Sequence, residues 1–163
     1  MGWIRRITRH WKLGVVAAVG LFALIQLIPY GRAHTNPPVT LEPQWDSPQT
    51  RELAMRACAD CHSNETTWPW YSNVAPFSWL VQHDVEEGRT ILNLSAIDQT
   101  PSGPDHAAGA VRNGEMPVNY YAWIHSGAKL SEAERQALVD GFIRTFGRGS
   151  APTPVAHARP TAQ

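Results

Sequence analysis

Two thiols and an imidazole stand together at Cys58-Ala59-Asp60-Cys61-His62. Two cysteines separated by two residues, with histidine directly after, have the spacing that attaches a c-type haem. Each thiol can add to one haem vinyl group, and the two-residue gap lets one helical turn span both thioethers. The adjacent histidine is then carried beneath the iron as proximal ligand. Other chemistries use Cys-x-x-Cys. A thioredoxin-like redox pair expects a βαβ context, and no such pattern surrounds these residues. A structural zinc site takes four ligands, which Cys58, Cys61 and two histidines, one of them His83, His106 or His125, could supply. The chain has two cysteines in all, both in this motif, so there is no separate disulfide framework.

The residue on the other side of the iron decides the chemistry. Methionine or histidine there makes a six-coordinate electron carrier, whereas an open position permits gas binding or catalysis. Of the three methionines, Met1 lies in the basic arm and Met55 one turn before Cys58, too near the attachment site. Met116, in Gly114-Glu115-Met116-Pro117, is the candidate distal ligand. Its soft thioether suits ferrous iron. Pro117 favours extended backbone at Met116, and Gly114 gives the chain room to turn. The competing role for Met116 is to fill a gap in the core. His83, His106 and His125 are weaker ligand candidates, and His106 or His125 could act as acid or base in an open site. Arg89 and Arg112 are candidate donors to haem propionates. Asp60 and Glu65 are expected on the surface. No Ser/His/Asp arrangement, paired-carboxylate site or glycine-rich phosphate loop stands out.

Helices must position these groups. Ser47-Pro48 reads as a helix start, with proline at the first helical position, and residues 48 to 58 run into the first cysteine. Leu53, Ala54 and Ala57 form the apolar stripe. Residues 63 to 77, with Trp68-Pro69-Trp70-Tyr71 and Pro76, read as an ordered aromatic loop. Ser78 is the expected N-cap of a helix closed by Gly88, with a short helical piece near 89 to 94. Another short helix is expected from His106 to Arg112. The clearest helix begins at Ser131-Glu132-Ala133-Glu134, a capping box, and stops at Gly147. Trp68, Trp70, Trp79 and Trp123 are expected to pack in the domain.

The ends of the chain differ in character. Arg5, Arg6, Arg9, Lys12 and Arg32 precede the first acid, Glu42. From residue 33 onward there are 9 Lys and Arg against 14 Asp and Glu, a deficit of 5 positive charges. A body with that deficit does not fit nucleic-acid binding. Leu13 to Ile28 is apolar with one polar member, Gln26. This is slightly short of the ~20 apolar residues of a typical span, but Trp11 and Tyr30 can extend it into the interfaces. The basic arm puts the N-terminus in the cytoplasm and the rest outside. The alternative is a signal peptide cleaved after Ala33. The expected organisation is a basic arm at 1–12, a transmembrane anchor at 13–30 and a proline-rich linker at 31–47. A haem domain at 48–147 and a disordered tail at 148–163 follow.

The chain resembles the bacterial haem-binding domain family, small exported and often membrane-anchored proteins. The resemblance rests on Cys58 through Thr66, then Trp68-Pro69-Trp70-Tyr71-Ser72, Ala75-Pro76, Ser78-Trp79 and Asp84-Val85 through Gly88-Arg89. Asn36-Pro37-Pro38-Val39, Asn93-Leu94-Ser95, Gly114 to Pro117 and Ala128 to Ser131 extend it over roughly residues 36 to 146. It implies one covalent haem c on Cys58 and Cys61, with His62 as axial ligand and Met116 opposite. The expectation is an all-α, cytochrome-c-like domain behind a single N-terminal transmembrane helix in the bacterial inner membrane. It would carry single electrons on the periplasmic side to a redox partner protein in or at the membrane. The alternatives are a haem-based gas or redox sensor, a binding module, a peroxidase-like enzyme with an open distal site, or a structural subunit of an oxidase assembly.

Overall fold

The computed structural model describes residues 2–100 and 103–147. The expected tail at 148–163 lies outside the described residues. Those described form seven α-helices, several single 3-10 turns and no strand, so the described residues are all-helical as expected. The one β feature is an isolated parallel bridge between Leu41 and Ala96. Two compact units divide the chain: residues to His34 with Trp68–His83, and Thr35–Thr67 with the residues from Asp84 onward.

The first unit is built on α1 (Gly2–Ile25). Among the described residues no helix is long and apolar enough to cross a membrane. The apolar stretch expected as one span to residue 30 stops being α-helical at Ile25, ahead of Pro29, and tightens into i,i+3 bonds at Gln26, Leu27 and Ile28. Gln26, the polar exception, has a definite task. Its Nε2 donates to the Ala75 carbonyl at 2.9 Å and its Oε1 accepts from the Ala75 N–H at 3.0 Å, as a neighbouring strand would. Gly31, at φ +82°, turns the chain where a Cβ would lie 2.1 Å from the Ser78 carbonyl oxygen. The aromatic loop is ordered: a 3-10 turn spans Trp70–Asn73, and His34 stacks on Trp68 with ring centroids 4.6 Å apart. Ser78 does not cap the next helix. Its hydroxyl donates to the Tyr30 carbonyl, and α4 (Phe77–Ile91) begins one residue earlier. Trp70 is 80 % exposed, contrary to the packing expected of it.

The second unit contains α2 (Pro48–Ala57) and α3 (Ala59–His62), followed after the residues of α4 by α5 (Gly103–Arg112), α6 (Asn119–Ile124) and α7 (Glu132–Phe146). Ser47 accepts from the Thr50 N–H and Pro48 takes the first helical position, so α2 starts as its sequence dictates. The capping box of α7 is complete, with Ser131 and Glu134 bonding each other's backbone N–H. α5 and α2 both pack on α7. Leu53, Ala54, Val111, Leu138 and Phe142 are central to the resulting core. Gly141 lets α2 close on α7, since a Cβ there would meet the Thr50 side chain at 2.2 Å.

Residues 35–47, expected as a spacer, lie on this core. Thr40 and Leu41 donate to the Ser95 carbonyl, Trp45 stacks on Phe142, and Asp46 pairs with Arg144. Proline-rich composition set the extended backbone, and Trp45 supplied the apolar area that docks it. Trp123, by contrast, is 87 % exposed.

Candidate functional site

Cys58 falls between two helices. Its φ of −125° and ψ of −26° end α2, while its N–H still bonds Ala54 and its carbonyl accepts from Cys61 and His62. The motif therefore straddles a kink, with the second thiol and the imidazole on the single turn of α3. That turn is pressed against α4. Gly88 sits mid-helix, where a Cβ would come within 2.5 Å of the Cys61 carbonyl oxygen. Expected to stop its helix, Gly88 instead permits a close backbone approach at the site.

His62 is oriented by backbone. Its Nδ1 lies 2.9 Å from the Gly88 carbonyl and 3.1 Å from that of Leu92. A carbonyl can only accept, so Nδ1 carries the hydrogen and Nε2 is left with its lone pair. Burial holds the imidazole below its ordinary pKa, against the two carbonyls, which favour the cation. The next residues are locked by a buried polar knot. Leu94 N–H donates to the His62 carbonyl at 2.7 Å, Asn64 N–H to Ser95 Oγ at 3.0 Å, and Asn93 Nδ2 to Asn64 Oδ1 at 2.9 Å.

Met116 reaches the site through a Schellman turn. Gly114, at φ +74°, ends α5, with Gly114 N–H on the Val111 carbonyl and Glu115 N–H on that of Ala110. Met116 N–H bonds the same Ala110 carbonyl at 3.1 Å, which fastens the loop to α5.

Cys58, Cys61, His62 and Met116 all line one cavity of about 280 Å³. Its walls are largely apolar, with Leu92, Ala107, Ala110, Val111 and Phe142 prominent. Met116 also packs against the core, so lining the cavity and filling space are not exclusive. The cysteines are not bonded to each other. Burial pushes both thiols up to about 12; for Cys61 the carboxylates of Asp84 and Asp60 add to it. They are therefore neutral thiols at physiological pH.

His106 lines the cavity as well, whereas His83, His125 and Met55 do not. Among the described residues no three His, Cys, Asp or Glu side chains form a group that could hold a metal ion, which leaves the zinc alternative without a ligand set. Arg89 is committed elsewhere: its guanidinium donates to the Ser63 and Thr35 carbonyls, Asn36 Oδ1 and Thr66 Oγ1. Arg112 is exposed and outside the cavity wall. Asp60, expected on the surface, is half-buried; it accepts from Thr67 N–H and from Tyr121 OH at 2.5 Å. Tyr120, Tyr121, Asp84 and Glu87 also line the cavity and are not among the candidate site residues of the sequence. Tyr120 donates to Asp84 at 2.8 Å, and burial followed by that bond raises its phenol above the ordinary value. The adjacent tyrosines three and four residues beyond Pro117 were the available signal.

The donor set fits a haem. Two thiols and an imidazole with a free Nε2 face an apolar cavity that also holds a thioether. A model of the haem-binding domain family matches residues 20–144, most of the chain. The chain belongs to this family and is a haem-binding protein. No curated protein and no solved structure matches it.

Proposed function

We propose that this protein is a membrane-anchored monohaem c-type cytochrome that passes single electrons on the periplasmic side to a redox partner at the membrane. The observation that carries the reading is the convergence of Cys58, Cys61, His62 and Met116 on one apolar cavity. Cys58 and Cys61 would hold the haem covalently, and His62 Nε2 and Met116 would ligate its iron. When bound, the haem supplies a one-electron iron couple. The chain's own residues do the rest. The Gly88 and Leu92 carbonyls hold the His62 tautomer and raise the basicity of Nε2. The Schellman turn fixes Met116, and the apolar walls limit water.

The anchor reading is supported by α1. Every described residue from His10 to Leu24 is exposed, so no stripe of this largely apolar helix faces protein. An apolar helix without a buried face calls for lipid around it. A mature N-terminus beginning after Ala33 would overturn the anchor.

The central test is optical. Full-length protein is purified in detergent, and mass spectrometry is expected to find one haem bound covalently, lost when Cys58 and Cys61 are both replaced by alanine. The ferric form is expected to show the methionine–iron charge-transfer band and the ferrous form to exclude carbon monoxide. Met116→Ala abolishes the band and admits carbon monoxide. If the band survives in Met116→Ala, Met116 is not the ligand.

His106 on the cavity wall favours one second reading, an open or histidine-ligated site serving as sensor or peroxidase-like enzyme. Rapid carbon monoxide binding by the unmodified protein, altered by His106→Ala and not by Met116→Ala, would establish it.

A further inference from the structure

Of 19 large apolar residues exposed among those described, 5 belong to the second unit (Ile91, Tyr120, Trp123, Ile124 and Ile143) and 14 to the first. Three of those 14 lie outside the N-terminal segment: Trp70, Phe77 and Leu80, at 80 %, 54 % and 44 % exposure. We infer that the segment 70–80 is a second lipid-contacting surface, seated in the headgroup layer of the bilayer that takes α1. The inference rests on the anchor reading and adds a second point of attachment to it.

Placement within the unit carries the proposal. The segment is bonded to the end of α1 and to the turn after it. Gln26 holds both backbone groups of Ala75, Ser78 Oγ donates to the Tyr30 carbonyl at 3.3 Å, and Gly31 lies directly on the Ser78 backbone. The exposed rings are ordered. Tyr71 meets Trp70 and Phe77 edge-on, with centroids 5.9 and 6.3 Å apart. Arg32 Nη2 donates to Gln26 Oε1 at 3.1 Å, which adds a cation at the same joint. Aromatic residues beside a cation, where an apolar helix ends, match the composition of a membrane–water interface. A protein partner would cover one stripe of α1. Lipid covers every face of it and continues onto the adjoining loop.

The test uses full-length, haem-loaded protein in vesicles of phosphatidylethanolamine and phosphatidylglycerol. The photo-crosslinker p-benzoylphenylalanine replaces, one at a time, Trp70, Phe77, Leu21 of α1 and Ala133 on the exposed side of α7. Unchanged haem content and absorption spectrum verify the fold of each variant. Phospholipid adducts at 70 and 77 are expected at yields comparable to that at 21 and several-fold above that at 133. Adducts at 21 without adducts at 70 and 77 overturn the inference and leave the anchor intact. No adduct at 21 overturns the anchor reading and the inference with it. Equal yields at 70, 77 and 133 mean unselective lipid contact and also overturn it.

Discussion

At the scale of single residues, the site depends on how closely α3 and α4 approach. His62 can receive two backbone carbonyls on Nδ1 only because Gly88 has no side chain. Gly88→Ala would push a methyl into the Cys61 carbonyl, and neither backbone can yield without moving the turn that carries Cys61 and His62. We expect a loss of about 1–3 kcal/mol of stability, measured by urea denaturation, together with a falling yield of haem-loaded protein. A fully loaded Gly88→Ala protein of unchanged stability would show that the two helices separate freely. The candidate ligands were legible in the sequence because their chemistry is carried by residue type and local spacing. The role of Gly88 was not, since a glycine that allows close approach looks like one that ends a helix until the neighbour is known. Asp60 was misplaced for the same reason, its partner Tyr121 being 61 positions away.

Elements followed the sequence where their determinants are local. The capping box of α7 and the Ser47-Pro48 start of α2 formed as read. Ser131→Ala should cost about 0.5–2 kcal/mol in thermal or urea unfolding, with the haem spectrum unchanged. α4 ran past Gly88, and the six-residue α6 was missed because nothing in Asn119–Ile124 signals a cap. Proline content reports backbone stiffness and not docking, which is why residues 35–47 of the expected 31–47 linker read as a spacer although they lie on the core. Glu42 shows how that docking responds to pH. Its carboxylate accepts two bonds from Arg51 at 2.9 Å and one from Trp45. The Arg51 bonds, opposed by partial burial and aided by Trp45, hold Glu42 below its ordinary value of 4.5. A carboxylate so depressed stabilises the fold above its unfolded pKa, and that contribution disappears as pH falls through the folded pKa. Glu42→Gln should therefore lower stability at neutral pH by less than ~1 kcal/mol, the range of partly exposed pairs. The difference should close as the pH drops below 4.5. A gap that persists in acid would assign the effect to packing of Trp45.

For the molecule as a whole, charge asymmetry is the property most directly legible in sequence, because it needs no fold. Residues 33 onward carry 14 acids against 9 basic residues. The structure adds a local fact that composition could not supply: Asp84 and Glu87 stand in the cavity wall, and among the described residues no lysine or arginine does. If electrons leave through this cavity, a cationic reagent is drawn to its mouth and an anionic one repelled. Salt screens such fields over about 10 Å at 0.1 M, so added salt should act in opposite directions on the two. Oxidation of the ferrous protein by tris(phenanthroline)cobalt(III) should slow as ionic strength rises, whereas oxidation by ferricyanide should accelerate, both followed by stopped-flow absorbance. Asp84→Asn combined with Glu87→Gln removes two charges while an asparagine can still accept the Tyr120 bond, and both salt slopes should flatten. If the slopes have the reverse signs, the basic N-terminal arm governs encounter. If they keep their signs but ignore the double substitution, electrons leave by a surface other than the one that Asp84 and Glu87 border.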